Sequence, residues 1–588
     1  MTPGAGTPPL RGELARLLRQ PLSAAARDRA HALLALERGV PAATLATELQ
    51  IPVQRVRAWQ RSYALRGSAA IIAAHPPARD EALRTPVTLA ALQQAHNTNS
   101  ASAAAVVQIA AAFFSQTADR HRLGKRSRQL LLHAAALHNL EARPAASALA
   151  IQTHPLILLS ATTQRTVAVL VRAQRGSFGK VQRRLQALPG TTAAQTTELL
   201  WLTALLRIAA RLPAACRASA ALQLADQPTP GVVLEFGGAQ VLAGVAALRR
   251  ETKFFTAATG QPLMLNLRLP PALRALARAA RKGMQPELLP NAPVAETARL
   301  ILRQQLANLL HHTRNLARRE DAEDVHQLRV STRRLRAASA LFSASLDAHA
   351  LKPFVRALRT AGRVFGRVRD LDVLLEKLTA HHAQLPNPQQ SGLDSLITYL
   401  RQQQATARAT ALQYLHGIDH QAFILEFGAF LMHPPQPAVT GPHPVLACDA
   451  APQLIYARLA EVRAFLPHLQ NASLTDLHDL RIDFKKLRYA IDFFRPLLGA
   501  EVKNVIGCLK QIQDVLGDLN DADVACAMLR QALNADPALQ LQFWDINAYI
   551  TVRETERTAL QAAFPAVCAE HFATAAFQQQ LASAVAAR

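Results

Sequence analysis

The sequence predicts an all-α protein, and three observations carry that expectation. Alanine and leucine runs dominate while β-branched runs are scarce, a bias that favours helix. Half of the residues are hydrophobic, 18% are charged and 5% aromatic, the balance of a folded globular chain rather than a disordered one. The 34 prolines and 24 glycines are dispersed, which excludes a collagen-like or low-complexity chain. At 588 residues the chain is too long for one core, and about three to five domains are expected.

The net charge is +25. Such an excess calls for a polyanionic partner: nucleic acid, an anionic membrane surface or inorganic polyphosphate. Composition does not choose among them. The excess is uneven. Lys and Arg outnumber Asp and Glu by 33 to 12 over residues 1–280, but only by 33 to 29 over the rest. An anion site in the C-terminal half must therefore come from local placement. Five scattered cysteines (Cys216, Cys448, Cys508, Cys526, Cys568) form no CxxC pair. This argues against a disulfide framework or zinc ribbon and for a reducing compartment. The N-terminus lacks a signal-peptide apolar core. No run of about 18 apolar residues is free of charge. A cytoplasmic protein with no membrane partner, metal or cofactor is expected.

Residues 1–70 come first. ARDRAHALLALERGV reads as a short helix ending at Gly39, a plausible C′ residue. PAATLATELQ gives a second helix and IPVQRVRAWQRSYALRG a third. In the third, Val53, Val56, Trp59 and Tyr63 share one face, with Arg55, Arg57, Arg61 and Arg66 largely off it. Three short helices with a tight turn before a basic third helix resemble a helix-turn-helix of the transposase type. The resemblance implies DNA contact through residues 1–70; the alternative is a small bundle whose arginines are a solvated face.

Residues 75–275 form a second, mainly helical region. RSRQLLLHAAALHNLEARPA, THPLILLS, VAVLVRAQRGSFGKVQRRL and LLWLTALLRIAARL follow one another, and VVLEFGGAQVLAGVAALRRETKFFTAATGQPLML closes the region. This order resembles the HD-like helical C-terminal domain of the exopolyphosphatase/guanosine pentaphosphate phosphohydrolase family. The resemblance fails where chemistry would sit. The HD pair reads His138-Asn139, the histidine of a YHRG-like turn is Gln174 before Arg175 and Gly176, and RIAARL lacks the family's aspartate. A divalent metal held by His and Asp needs imidazole and anionic oxygen together. The region is therefore expected to be a degenerate copy with no catalytic residue, and His133, His138 and His154 to be buried or half-buried helix histidines. Residues 276–293 read as a linker, because Pro and Gly cluster there. A second Pro-rich stretch, 433–445, divides the remainder into 294–432 and 446–588.

Those two halves repeat each other. EDVHQLRVSTRRLRAASALF (323–342) matches TDLHDLRIDFKKLRYAIDFF (475–494) at an offset of 152 residues. GRVRDLDV (366–373) matches GDLNDADV (517–524) at an offset of 151. His326, Arg329, Arg333 and Arg336 pair with His478, Arg481, Lys485 and Arg488; Arg334 pairs with Lys486, Lys352 with Lys503 and Arg359 with Lys510. The spacing i, i+3, i+7, i+10 makes one helical stripe in each copy. Lys352, Arg359 and Arg363 form a further stripe, as do Lys503 and Lys510. A charge run is usually a solvated face; duplication of the basic type at so many positions argues instead for an anion site. Cations spaced roughly 4.5–6 Å along a helix suit an extended string of phosphates. Interleaved aromatics are few, so base stacking is poorly supported.

The motifs VHQLRVSTRRLRA, LHDLRIDFKKLRYAIDFF, VFGRVRDLDVL and VLGDLNDADVA resemble the CHAD, or conserved-histidine α-helical, domain over residues 294–588. The resemblance implies two four-helix halves related by a pseudo-twofold axis. It also implies a basic groove that binds inorganic polyphosphate, and association with polyphosphate granules. The implied contacts are His326, Arg329, Arg333, Arg334, Arg336, Lys352, Arg359, Arg363, His478, Arg481, Lys485, Lys486, Arg488, Lys503 and Lys510. Asp514, at the repeat position of Arg363, is expected to weaken the groove locally. The pairs Asp370/Asp372 and Asp521/Asp523 could hold a divalent cation, but an ion-pairing or capping role is the expectation. The resulting reading is a non-enzymatic polyphosphate binder. The alternatives are a phosphohydrolase of polyphosphate or guanosine pentaphosphate, and a DNA-binding regulator acting through residues 1–70.

Overall fold

The computed structural model describes residues 24–49, 53–66, 86–157, 159–225, 230–281, 286–319, 322–433 and 445–586, with a few isolated positions between them. It divides into two compact units. One takes in Met1–Asn97 and Leu149–Arg165, the other Thr98–Ala148 and Thr166–Arg588.

In the first unit, helices Ala24–Glu37, Ala42–Glu48 and Val53–Arg66 form the expected trio. Gly39 terminates the first at φ +89°, where its missing Cβ removes the left-handed penalty. The amide of Val40 then donates back to the Ala35 carbonyl at 3.0 Å. Val56 and Tyr63 of the third helix are buried; Trp59 packs in the cluster of Tyr63, and Val56 in a second one with Leu45 and Ala46. Arg57 is exposed; the side chains of Arg55, Arg61 and Arg66, which bear on DNA contact, lie outside the described residues.

The second unit begins with the helical region read as HD-like. Helix Ala193–Arg211 is its centre, buried on nearly all sides and started by a Thr192/Gln195 capping box. Three strands close the region: β1 (Ala221–Ala225), β2 (Gly231–Gly237) and β3 (Leu263–Arg268). β1 runs antiparallel and β3 parallel to β2. The apolar pattern of β2, GVVLEFG, is buried along most of its length, as a central strand demands.

The expected 276–293 linker needs correction at its start. Residues Pro271–Arg281 form one helix. Leu273 is buried, and its methyls sit 2.7–2.8 Å from where a Cβ on Gly428 would stand. Periodic leucines and a docking partner thus override the Pro/Gly composition that suggested a break. Residues 286–293 run without helix and are pinned by a bridge between Pro293 and Leu446.

The C-terminal half consists of ten α-helices among the described residues. The first five are α1 (Val294–Arg319), α2 (Ala322–Leu341), α3 (Ala348–His382), α4 (Asn387–Leu415) and α5 (Ile418–Met432). The second five are α6 (Ala447–Phe465), α7 (Leu474–Phe494), α8 (Val502–Ala535), α9 (Phe543–His571) and α10 (Ala575–Ala586). Each half is four long helices with a shorter fifth. Asp347 caps α3 by accepting from the amides of His349 and Ala350, and a Ser473/Asp476 capping box starts α7. Across the halves each long helix meets its own equivalent: α1 packs on α6, α2 on α7, α3 on α8 and α4 on α9. The equivalent rings of Phe342 and Phe494 lie 5.6 Å apart, edge to face. These contacts make the pseudo-twofold relation visible in packing. A shared core of Leu371, Leu374, Leu396, Leu529 and Tyr549 joins α3, α4, α8 and α9.

Candidate functional site

Where α2 and α3 meet α7 and α8, a cleft of about 150 Å³ opens. Its floor is apolar: Val330, Val373, Leu374, Val524 and Ala525. Its walls are cationic, with His326, Arg329 and Arg333 from α2, Arg369 from α3 and Arg481 from α7. Asp370 and Asp521 are the carboxylates among its lining residues. The stripe geometry explains the convergence. Residues at i, i+3 and i+7 project from one helix face, and the pseudo-twofold axis turns the two such faces toward each other.

Electrostatics mark the cleft as underneutralised. Arg329 donates to Asp370 at 2.6 Å and to the Gly366 carbonyl at 3.3 Å. His326 Nδ1, Arg333 Nε and Arg481 Nε are buried with no hydrogen-bond partner. Burial, then Arg481, Arg333 and Arg329 together, push the ammonium of Lys485 from 10.5 down to about 6, with Asp521 opposing. Burial also lowers the basicity of Arg481, opposed first by Asp521. His326 is held below its ordinary value by burial and then by Arg369. Two halves that each bring cations to one axis repel each other, and an anion in the cleft is the direct remedy.

The structure separates the sequence-predicted contacts into groups. His326, Arg329, Arg333 and Arg481 line the cleft, and Lys485 feels Arg481, Arg333 and Arg329. Arg336 and Arg488 continue the stripes, with different neighbours. Arg488 is held by Gln513 at 2.7 Å. The repeat position of Gln513 is Gly362, and a Cβ there would meet the Arg336 guanidinium at 3.6 Å. Lys352, Arg359, Arg363, Lys503 and Lys510 are exposed on α3 and α8, outside the cleft lining; along α3 they begin about 10 Å from Asp370 and reach about 27 Å. His478 is exposed and hydrogen-bonds to Asn520 at 3.0 Å.

Two further positions point away from the stripes altogether. Arg334 bonds to Asp492 across the halves, at 2.5 Å, and to Gln305 at 2.8 Å, with Phe493 beneath it. Lys486 pairs with Asp483 one turn back at 2.8 Å. Each follows a stripe residue by one position, and so points about 100° away from the stripe. The offset match that included them tracked the duplication, not the face.

Arg369 was missed by sequence reasoning. It stands inside GRVRDLDV, but the second copy has Asn520 at that position, so a search for repeated basic residues passes over it. The aspartate pairs split by face in both copies. Asp370 meets Arg329, whereas Asp372 is buried against Gln404 at 2.6 Å and Arg408 at 3.1 Å. Its equivalent, Asp523, bonds to Arg557 at 2.8 Å. The second aspartate of each pair therefore clamps α4 to α3 or α9 to α8, as an ion-pairing role predicts.

In the HD-like region His138 and the altered position Gln174 are tied into the fold, whereas Asn139 Oδ1 is buried without a hydrogen-bond partner. His138 is buried, shares a 2.8 Å contact with the Ala135 carbonyl, and is held below its ordinary value by burial. Gln174 donates to the backbone carbonyl of His138 at 3.0 Å. Arg207 lies under Phe254, pairs with buried Glu251 at 2.5 Å and donates to the carbonyls of Ala173 and Gly176. Its guanidinium locks the Gln174-Arg175-Gly176 turn, in which Gly176 adopts φ +126°. Among the described residues no group of three His, Cys, Asp or Glu could hold a metal ion. No helix among them is long and apolar enough to cross a membrane.

Two family models match. Residues 300–530 match the CHAD domain, and residues 85–227 match Ppx/GppA phosphatase, domain III. No curated protein matches the chain. Among solved structures it is similar to the CHAD domain from the plant Ricinus communis, at 23% identity and TM-score 0.41, covering 48% of this chain and 94% of that one. It is also similar to PptA from Streptomyces chartreusis, at 20% identity and TM-score 0.38, covering 47% and 99%.

Proposed function

We propose that this chain, which carries a CHAD domain and a Ppx/GppA domain III, binds inorganic polyphosphate and works without an enzymatic activity of its own. One observation carries the reading: His326, Arg329 and Arg333 from one half and Arg481 from the other converge on a single cleft, where His326 Nδ1, Arg333 Nε and Arg481 Nε are buried without partners. A chain of phosphates can occupy the cleft and continue over Arg336, Arg359 and Arg363 on one side and Arg488, Lys510 and Lys503 on the other. Arginine grips phosphate oxygens through two donors and lysine adds point charge, so the site reads charge density and spacing rather than a base or sugar. Apolar residues at the floor exclude water beneath the contacts and strengthen them.

The middle region matches Ppx/GppA phosphatase, domain III, and its resemblance to the exopolyphosphatase family supports the same ligand from a second part of the chain. Its replaced motif residues, Asn139 and Gln174, support a role other than hydrolysis. Residence at polyphosphate granules follows if the affinity survives cellular salt.

The test is retention of the full chain on immobilised long-chain polyphosphate against DNA at equal phosphate concentration. Preferential retention on polyphosphate is expected, falling steeply between about 50 and 200 mM salt as counterions are recaptured. Equal retention on DNA, or salt-insensitive binding, refutes the multi-phosphate cleft. Phosphate release from polyphosphate in the presence of Mg²⁺ would refute the non-enzymatic part.

A further inference from the structure

A second cavity lies away from the cationic cleft, between α3, α5 and the helix pair Val241–Leu248 and Glu251–Thr259. It measures about 1000 Å³, at the upper end of small-ligand sites. One wall is apolar, with Phe354 and Ala357 of α3 facing Ile418 and Phe423 of α5. Lys253 and Arg356 stand exposed beside it, and among the described residues neither has a carboxylate partner. Arg249 reaches Asp419 and Glu426 only loosely, at 4.0 and 3.9 Å.

Two further features point to an occupant. The N-terminus of α5, a 15-residue helix, opens here behind Gly417 with no side-chain cap. In its first turn His420 lines the cavity at 1% exposure, and neither ring nitrogen has a hydrogen-bond partner. Burial, and then His416, hold this imidazole near 3, so it stays neutral and keeps one donor and one acceptor. A buried ring with both nitrogens unmatched is destabilising unless something arrives to match it.

We propose that this cavity binds a nucleotide, with the heteroaromatic base against the Phe354 and Phe423 wall, its polar edge toward His420, and the phosphates at Lys253 and Arg356. The residue types select that class. A flat ring suits the apolar wall. Its polar edge offers a donor and an acceptor together, which an aliphatic anion lacks. Cations without a carboxylate partner suit phosphate oxygens. Asp419 and Glu426 can accept hydrogen bonds from sugar hydroxyls, whereas a bare phosphate chain would be repelled by them. The site shares no lining residue with the cationic cleft and stands apart from the polyphosphate reading.

Calorimetric titration of the full chain with ATP, GTP, CTP and UTP, against inorganic triphosphate, tests this. At least one nucleotide should bind one per chain, at least tenfold more tightly than triphosphate. His420→Leu should weaken it tenfold or more, and Lys485→Ala should not change it. If His420→Leu fails to fold, the exposed pair Lys253→Ala and Arg356→Ala should give the same tenfold loss. Binding of none of the four nucleotides, affinity no better than triphosphate, or full affinity in the His420 and Lys253/Arg356 variants overturns the assignment.

Discussion

Lys485 makes proton uptake the most telling property of the cleft. With its ammonium pushed to about 6 by burial and then by Arg481, Arg333 and Arg329, most of the empty protein lacks that proton at pH 7.5. A polyanion in the cleft offsets the three guanidinium repulsions and draws the proton back. Polyphosphate binding at pH 7.5 should therefore take up close to one proton through this residue. Affinity should fall with pH above 6, by up to about tenfold per unit, until the pKa of the bound state is passed. The empty protein shows the opposite sign. Between pH 6 and 10.5 the unfolded chain holds a proton that the folded chain has lost, so stability rises with pH by up to about 1.4 kcal/mol per unit. The perturbation is Lys485→Met, which keeps the apolar stem and removes the charge. It should abolish the extra proton uptake, flatten both slopes, and cost more affinity at pH 6 than at pH 9. Calorimetric titration in buffers of different ionisation enthalpy counts the protons directly. An enthalpy independent of buffer in the parent, or an unchanged proton count in Lys485→Met, would refute the argument.

Three further outcomes follow from the same contacts. Arg333→Ala and Arg481→Ala should each weaken polyphosphate binding by about 1.5–3 kcal/mol, the worth of a charge-assisted contact, while melting temperature holds or rises because repulsion is relieved; paired loss of affinity and stability would mark them as structural. Glu251→Gln leaves the buried Arg207 guanidinium without its counter-charge and should cost roughly 3–5 kcal/mol in denaturant unfolding, with polyphosphate affinity unchanged. Asn520→Arg supplies the second half with the counterpart of Arg369 and should tighten polyphosphate binding several-fold at low salt, an effect that 0.5 M salt erases.

Much of this molecule is legible in its sequence, and the failures have physical causes. The duplicated stripe at i, i+3, i+7 located α2 and α7 and their inward face, because helical geometry converts spacing into direction. The same duplication misled at Arg334 and Lys486, where a shared offset says nothing about which side of the helix a residue occupies. Arg369 was invisible because the cleft is asymmetric and its counterpart is Asn520. The helix Pro271–Arg281 was read partly as linker because composition records the nearby glycine and prolines, not the docking of Leu273 at Gly428. The depression of Lys485 was beyond sequence altogether, since it depends on three guanidiniums from two halves meeting in space.

The pairing of each long helix with its own equivalent bears on how such a molecule can change. Two separate copies of one half could build the same interface as a homodimer, but every substitution would then appear twice. Adding an arginine at position 369 would place two more positive charges on the axis at once. In a single continuous chain each side varies alone, so Arg369 can face Asn520, Gly362 can stand where the other side has Gln513, and Arg363 where it has Asp514. The two sides of the cleft are consequently unlike, with Arg369 on one and Asn520 at its counterpart, and a linear polyanion held there would meet more positive charge on the first side. Covalent linkage has thus left the two sides free to differ.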